Sequence, residues 1–249
     1  MPASSTSPYR ADARTVREVV ARHGGVASTA DLRSELGLSE RTLYRRLGEL
    51  VAEGSLYREG RSRYTTRPPA VAVSGESLQI VRVIERLDAE AHLSGYDILA
   101  GFAHQFTFDY PHLVCCHPPH FDGLAVALVS KRFVVLAAGP GALRGPLMPR
   151  TVLLRRQPLI EQETLVRGSL ATPEKAWVDL LRETRRSQLA IDYGELGRLL
   201  RAMTEYGVNQ RALVSYARRI GYLQWLKATT GQCPPTGVDQ RQLAAGYAA

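Results

Sequence analysis

The sequence predicts an α+β protein, in which an N-terminal winged helix-turn-helix is followed by a mixed α/β central region and a helical C-terminal region. Three observations predict this order. Apolar residues recur at helical spacing near the N-terminus and an arginine-rich hairpin follows them. Apolar, partly β-branched runs separated by Gly and Pro fill the middle of the chain. Helical spacing then returns. We expect a DNA-binding domain at residues 10–67 and an α+β domain at 76–230, with its sheet in 76–171 and its helices in 172–230.

The N-terminal unit contains three predicted helices. The first carries Val16, Val19 and Val20 on one face, and the second begins where a hydroxyl can cap it at Ser28-Thr29. Ser39 caps a third helix that continues to about Glu53. Four apolar side chains of the third helix share one core-facing stripe, which spans about 100°; they are Leu43, Leu47, Leu50 and Val51.

The opposite face of the third helix predicts contact with DNA. Arg41, Thr42 and Arg45 lie on it, in the N-terminal half that a recognition helix presents to the major groove, and we expect them to read base edges. A hairpin with a Glu-Gly turn follows and forms the wing. The residues expected to hold phosphates are Ser39, Tyr44, Arg46, Arg58, Arg61 and Arg63. The alternative is a small protein-binding domain whose arginines are merely solvated.

Composition is consistent with a polyanionic partner. The net charge is +8, and residues 10–67 contribute half of it because they hold 12 Arg against 8 acidic residues. The three cysteines, Cys115, Cys116 and Cys233, do not suggest a disulfide framework, so a reducing cytoplasm is expected. No apolar run reaches the ~18–20 residues of a membrane span, and the N-terminus lacks the apolar core of a signal peptide.

The central and C-terminal regions are predicted from short patterns. Leu78, Val81, Ile84 and Leu87 indicate a helix, and a second is expected within residues 94–102. C-terminal helices should begin at Thr172-Pro173, at a capping box of Asp192 with Glu195, and at Asn209. The expected strands are 113–117, 124–129, 133–137, 151–155 and 164–167.

A basic surface is predicted near the C-terminus, where no acidic residue occurs between Tyr206 and Val238. It would meet DNA or an acidic partner protein, or it is simply a solvated helix face. The residues expected on it are Arg211, Arg218, Arg219 and Lys227.

We predict neither a metal site, nor a cofactor, nor catalysis. The best metal candidate is the stretch from His112 to His120, but adjacent Cys115 and Cys116 on a strand would point to opposite faces. Glu174 and Asp179 are about 140° apart on their helix, so we expect a helix N-terminal charge and a surface ion instead of a carboxylate pair.

Several segments resemble known regulators. Residues 36–47, Leu-Gly-Leu-Ser-Glu-Arg-Thr-Leu-Tyr-Arg-Arg-Leu, resemble the helix-turn-helix of many bacterial regulators. Together with this unit, the segment Ser94-Gly-Tyr-Asp-Ile-Leu-Ala-Gly, the segment Ser169-Leu-Ala-Thr-Pro-Glu-Lys-Ala-Trp-Val-Asp-Leu-Leu and the later Arg218-Arg-Ile-Gly-Tyr-Leu resemble the AbiEi-type antitoxin family.

The resemblance implies an antitoxin that represses its own operon and neutralises a nucleotidyltransferase toxin encoded beside it. The region after residue 76 would then bind the toxin, and a homodimer or two copies would occupy an inverted-repeat operator. Two alternatives are a stand-alone regulator that senses a small ligand in residues 76–230 and, with less support, a nuclease.

Overall fold

The computed structural model describes residues 13–53, 55–60, 62–66, 73–102, 110–143, 147–158, 165–189 and 191–230. Its N-terminal part combines three helices with a three-stranded antiparallel sheet of order β1-β3-β2. This arrangement fits a winged helix-turn-helix. The elements are α1 (Ala13–Arg22), β1 (Val26–Ser28), α2 (Thr29–Leu36), α3 (Glu40–Ala52), β2 (Tyr57–Gly60) and β3 (Arg63–Thr65).

Capping residues set the bounds of α2 and α3. Ser28 accepts a hydrogen bond from the backbone N–H of Asp31, whose carboxylate accepts from the backbone N–H of Ser28. Gly37, at φ 61°, ends α2 in the left-handed conformation, and Ser39 caps α3. Both predicted helix starts are confirmed. Strand β1 was not predicted, since its three residues show no pattern until they pair with β3.

A six-stranded mixed sheet of order β6-β7-β5-β4-β9-β8 forms the central region. Strands β6, β7 and β5 run parallel to one another, whereas β4 is antiparallel to β5. The elements are α4 (Gly75–Arg86), β4 (Ala91–Ser94), α5 (Tyr96–Leu99) with a 3₁₀ turn at Ala100–Phe102, β5 (His112–Cys116), a 3₁₀ turn at Pro118–His120, α6 (Phe121–Ser130), β6 (Val134–Ala137), β7 (Thr151–Arg156), β8 (Val166–Arg167) and β9 (Leu170–Ala171).

The predicted strand at residues 124–129 is wrong, because this run lies in helix α6. Leu124 and Leu128 are buried with Phe121 at helical spacing, whereas Val126 and Val129 are exposed. An apolar run this short does not distinguish a strand from a buried helix by periodicity. Strand β4 and the pairing of β9 with it were missed.

The buried face of α4 also differs from the prediction. Leu78 and Leu87 are exposed, and the helix buries Ser77, Ile80 and Ile84 against the sheet. Ser77 belongs to this face because its hydroxyl donates a hydrogen bond to the Asp97 carboxylate. Because the polar residue Ser77 belongs to the buried face, the apolar spacing in the sequence indicated a face that begins one residue too late.

Four helices end the described part of the chain and bury an apolar cluster around Trp177, whose indole N–H donates to the carbonyl of Leu196 at 3.1 Å. Asp192 and Asn209 cap two of them as predicted, since each accepts from a backbone N–H three residues later. The Glu195 half of the predicted capping box is replaced, because its carboxylate accepts from the Tyr110 hydroxyl. The helices are α7 (Pro173–Arg186), α8 (Tyr193–Tyr206), α9 (Gln210–Arg219) and α10 (Leu223–Thr229).

The N-terminal unit packs directly on the loop between α8 and α9. The side-chain amide of Asn209 donates to the carbonyl of Glu53 at 2.9 Å, while its own backbone N–H donates to Glu174. Gly207 has φ 99°, and a Cβ there would lie 2.8 Å from a methyl group of Val51. A residue without a side chain is thus required both by the helix end and by the close approach of the two units.

Candidate nucleic-acid interface

Helix α3 presents an arginine-lined face to solvent. Arg41, Tyr44 and Arg45 are exposed, and Gly48 completes the same face one turn later at helical spacing. A Cβ at Gly48 would meet nothing within 4 Å, so the surface there is open to a close approach. Within the described residues, neither Arg41 nor Arg45 forms an ion pair. The buried stripe predicted opposite this face is confirmed.

Ser39 and Thr42 lie at the start of α3 and are occupied with each other. The Ser39 hydroxyl lies 2.9 Å from that of Thr42, and it accepts from the Thr42 backbone N–H as the helix cap. Thr42 is partly buried, whereas Tyr44 is 47% exposed. The sequence placed Thr42 on the central face and Tyr44 on its flank; the structure reverses their exposure.

Arg46 differs from the other arginines of α3 because it forms an ion pair within the helix. Its guanidinium donates to the Glu49 carboxylate at 2.9 Å, and this hydrogen bond holds the pKa of Glu49 below its usual value. Arg46 would therefore have to exchange partners to hold a phosphate.

The β2–β3 hairpin occupies the position predicted for the wing. Arg58 is exposed on β2, while Arg63 on β3 lies 3.4 Å from the Glu59 carboxylate. Gly60 pairs with Arg63 after a register shift, so Glu59 and Gly60 lie in strand β2 and not in the predicted Glu-Gly turn. The predicted phosphate contact Arg61 lies outside the described residues.

The predicted basic C-terminal surface is divided by the structure. Arg218 and Lys227 line a groove of about 810 Å³ between α8, α9 and α10, together with Arg201, which sequence reasoning missed. Arg211 instead lies 3.8 Å from Glu53 of the N-terminal unit, and Arg219 packs on the Tyr216 ring at 5.3 Å. Apolar side chains form the floor of the groove; they include Leu200, Leu213, Val214, Leu223 and Leu226.

Asp179 is not the predicted surface ion, because it is fully buried at the centre of a charged cluster between β7 and α7. Its carboxylate receives hydrogen bonds from Arg155, from Lys175 and from the Ser94 hydroxyl. Arg155 reaches on to Glu183 at 2.9 Å, so two cations are matched by two buried carboxylates. The helical spacing showed where Asp179 points on α7, but not that a strand arginine faces it.

Within this cluster the pKa of Asp179 is lowered and that of Cys115 is raised. Burial alone would raise the pKa of Asp179, but Arg155 and Lys175 outweigh it and hold that pKa far below its usual range. Burial raises the pKa of the Cys115 thiol, 3.7 Å from Asp179, to about 11. Cys115 is therefore a protonated thiol at neutral pH. The charged side chains of the cluster are buried between the sheet and α7.

A second polar cluster lines a cavity of about 350 Å³ between α4, α5 and β5. His112 lies between two carboxylates, with Nδ1 2.9 Å from Asp97 and Nε2 3.3 Å from Glu76. Burial alone lowers the pKa of His112, but the hydrogen bond and charge of Asp97, with smaller effects from Glu76, raise it above its usual value. Arg150 closes the cluster 3.6 Å from Glu76.

The stretch from His112 to His120 does not converge on one point. Cys115 and Cys116 are both buried but belong to different apolar clusters on opposite faces of the sheet, as the strand pattern predicted. His112 points toward Asp97 and Glu76, whereas His117 and His120 lie against Glu90.

One family of known proteins matches the N-terminal unit. Residues 14–65 match the family described as "Transcriptional regulator, AbiEi antitoxin". No curated protein shows significant similarity to the chain. In the part of the chain that the structure describes, no helix has the length and apolar character to cross a membrane. The matched segment runs from α1 to the end of β3, so the likeness to AbiEi-type antitoxin transcriptional regulators covers the N-terminal unit.

Proposed function

We propose that this protein is an antitoxin that binds the promoter of its own operon, represses it, and neutralises a nucleotidyltransferase toxin encoded beside it. The observation that carries the DNA-binding part is the exposed face of Arg41, Tyr44, Arg45 and Gly48 on α3, within a domain that matches AbiEi-type regulators. Two arginines without ion-pair partners in the described structure need not break a bond before they meet a base or a phosphate.

We propose different tasks for the two arginines of this face and for Tyr44 with the wing. Arg41 and Arg45 are one helical turn apart and would read base edges in the major groove. Tyr44 and the wing residues Arg58 and Arg63 would hold phosphates, with the N-terminus of α3 adding its partial positive charge. Two copies on an inverted repeat would match the symmetry of such an operator.

A charge-matched pair of double variants tests the DNA interface. Arg41→Ala with Arg45→Ala should reduce affinity for the promoter duplex by roughly 1–3 kcal/mol per base-reading arginine, without loss of thermal stability. Arg82→Ala with Arg86→Ala removes the same charge at the same spacing from exposed positions of α4 and should leave specific binding nearly unchanged. Equal losses in an electrophoretic mobility assay would reduce the interface to non-specific charge and contradict the proposal.

The groove between α8, α9 and α10 supports the toxin-binding part. Its apolar floor and the three cations Arg201, Arg218 and Lys227 at its edge suit an apolar segment flanked by acidic residues. We propose that the nucleotidyltransferase supplies that segment. The family match ends at residue 65, so this assignment rests on the groove and on the resemblance of the later segments.

Neighbouring residues of α9 provide the test. Val214→Glu places a carboxylate in the groove, whereas Ser215→Glu places it on the exposed side of the same helix. Val214→Glu should abolish both co-purification with the adjacent nucleotidyltransferase and rescue of growth, and Ser215→Glu should preserve both. Rescue by both variants would place the toxin contact elsewhere.

A second candidate function is a stand-alone regulator with a ligand-sensing domain. The cavity lined by Glu76, Asp97, His112 and Arg150 favours it, since convergent polar groups are typical of small-molecule sites. This reading predicts a small polar effector that changes promoter affinity, and substitution of Arg150 should abolish that response while leaving basal DNA binding intact.

A further inference from the structure

We propose that Glu90, His117 and His120 form a binding site for a divalent transition-metal ion of the Zn²⁺ class. The site lies where β4 begins and β5 ends, outside both the α3 face and the groove. This site differs from the sequence-based expectation of no metal site. One of its three ligands, Glu90, lies outside the stretch from His112 to His120, so that stretch alone does not reveal the site.

The backbone brings the three residues together. Ala91 pairs with Cys116 across the antiparallel strands, and the next residues outward, Glu90 and His117, continue that register through a backbone hydrogen bond of 2.8 Å. The 3₁₀ turn at Pro118–His120 then returns the chain, so that His120 falls beside His117 with ring centroids 6.3 Å apart. Two consecutive prolines restrict this turn.

The ligand atoms have the separations that a metal ion requires. Oε2 of Glu90 lies 2.9 Å from Nδ1 of His117 and 3.6 Å from Nε2 of His120, and each of the three residues offers one ligand atom within 4.8 Å of the other two. Metal–ligand bonds of ~2.0–2.2 Å in a tetrahedral site imply ligand atoms about 3.4 Å apart. The two distances to the shared carboxylate oxygen lie on either side of that value.

The hydrogen bonding of His117 supplies a second argument. Its Nδ1 is buried, and in the described part of the chain it has no hydrogen-bond partner, although Glu90 is within reach. The carboxylate oxygen is therefore off the axis on which the ring nitrogen would donate or accept. That is the relation expected of two ligands of one ion, each of which points its lone pair at the metal and not at the other.

The donor set selects the class of ion. Two imidazole nitrogens with one carboxylate oxygen suit Zn²⁺, Co²⁺ or Ni²⁺ and not Mg²⁺ or Ca²⁺, which prefer oxygen ligands. The Glu90 side chain is 48% exposed, so water would complete the coordination. A bound ion would tie the end of the β4–β5 pair to the start of α6, which begins directly after His120.

Isothermal titration of the full chain with ZnCl₂ tests the site, in a Cys233→Ser background that removes a competing thiol. We expect one equivalent to bind and affinity to fall at least tenfold in Glu90→Gln and in His120→Ala. The matched control is His23→Ala, because His23 and Glu35 also form a close imidazole–carboxylate pair, at 2.7 Å, but without a second imidazole in their cluster. Its Zn²⁺ affinity should equal that of the parent.

Two further readouts keep a folding defect from being mistaken for a lost ligand. Zn²⁺ should raise the thermal midpoint of the parent and not of His120→Ala, whose partly exposed side chain is not needed for the core. Co²⁺ should give visible d–d absorption that disappears in the same variant. No stoichiometric binding by the parent, or undiminished binding in both Glu90→Gln and His120→Ala, would overturn the proposal.

Discussion

The arginines of α3 and Arg155 of β7 show the same side chain in opposite surroundings. Arg41 and Arg45 lie in solvent on a helix face, whereas Arg155 is almost fully buried and bonded to Asp179 and Glu183. An exposed guanidinium costs the fold little and remains available to a ligand. A buried one must be fully matched, because an unpaired charge in the interior is expensive. We propose that the first kind supplies binding, whereas the second holds the sheet and α7 in one arrangement.

The largest effect expected from this comparison is at Asp179. Asp179→Ala leaves Arg155 and Lys175 buried without their shared partner and should lower the free energy of unfolding by roughly 3–5 kcal/mol. Urea denaturation measures it. Asp122→Ala is the matched control, because that carboxylate is 92% exposed and lies 3.6 Å from Arg156; it should change stability by under ~0.5 kcal/mol. Similar effects at both sites would remove the distinction between buried and exposed charge.

A smaller loss is expected where the two regions touch. Gly207→Ala should destabilise the protein by about 1–3 kcal/mol from backbone strain, and further because its Cβ would collide with Val51. Gly221→Ala separates these contributions, since Gly221 also has positive φ, 79°, but faces open space. Thermal unfolding should rank Gly207→Ala well below Gly221→Ala. Equal midpoints would mean that the contact with the N-terminal unit yields easily.

The exposed face of α3 can be tested residue by residue. Tyr44→Ala should weaken promoter binding by about 1.5–3 kcal/mol, the value of a hydrogen bond to a charged phosphate. Thr42→Val keeps the side-chain shape and removes a hydroxyl already engaged by Ser39, so its effect on DNA affinity should be under ~0.5 kcal/mol. Fluorescence anisotropy distinguishes the two. The reverse order would restore the face predicted from sequence.

The smallest expected effect concerns pH and His112. Its folded-state pKa is raised above the ordinary value of 6.5 by Asp97 and Glu76, so the folded protein binds the proton more tightly than the unfolded chain. The stabilisation is fully present below the unfolded pKa and is lost as pH rises through the folded pKa.

Urea midpoints measured from acidic to mildly alkaline pH should therefore fall more steeply in the parent than in His112→Gln. Parallel profiles would show that the imidazole contributes nothing to the pH dependence.

Sequence reasoning succeeded where structure is local. The caps at Ser28, Ser39 and Asn209 act between residues three apart, and the core stripe of α3 follows helical spacing, so both are visible in the sequence. The helical part of the candidate DNA interface could be anticipated for the same reason, apart from the exchanged exposure of Thr42 and Tyr44.

The remaining features depend on pairing across the fold. Whether Asp179 of α7 is a surface ion or a buried ion-pair partner depends on Arg155, which lies on strand β7. The grouping of Glu90 with His117 depends on the register of β4 against β5, and β4 itself was not predicted. The groove is formed by three helices and gained Arg201 from one where no basic surface was expected. Helical or strand periodicity contains no information on such contacts.

The central claim is that this chain recognises its own promoter through α3. Fluorescence anisotropy with the duplex immediately upstream of its gene, compared with a shuffled duplex of equal length and composition, tests it most directly at physiological salt. We predict that the protein binds the promoter at least roughly 10³-fold more tightly than the shuffled duplex. The Arg41→Ala, Arg45→Ala double variant should lose that preference. Equal affinity for the two duplexes would contradict the account.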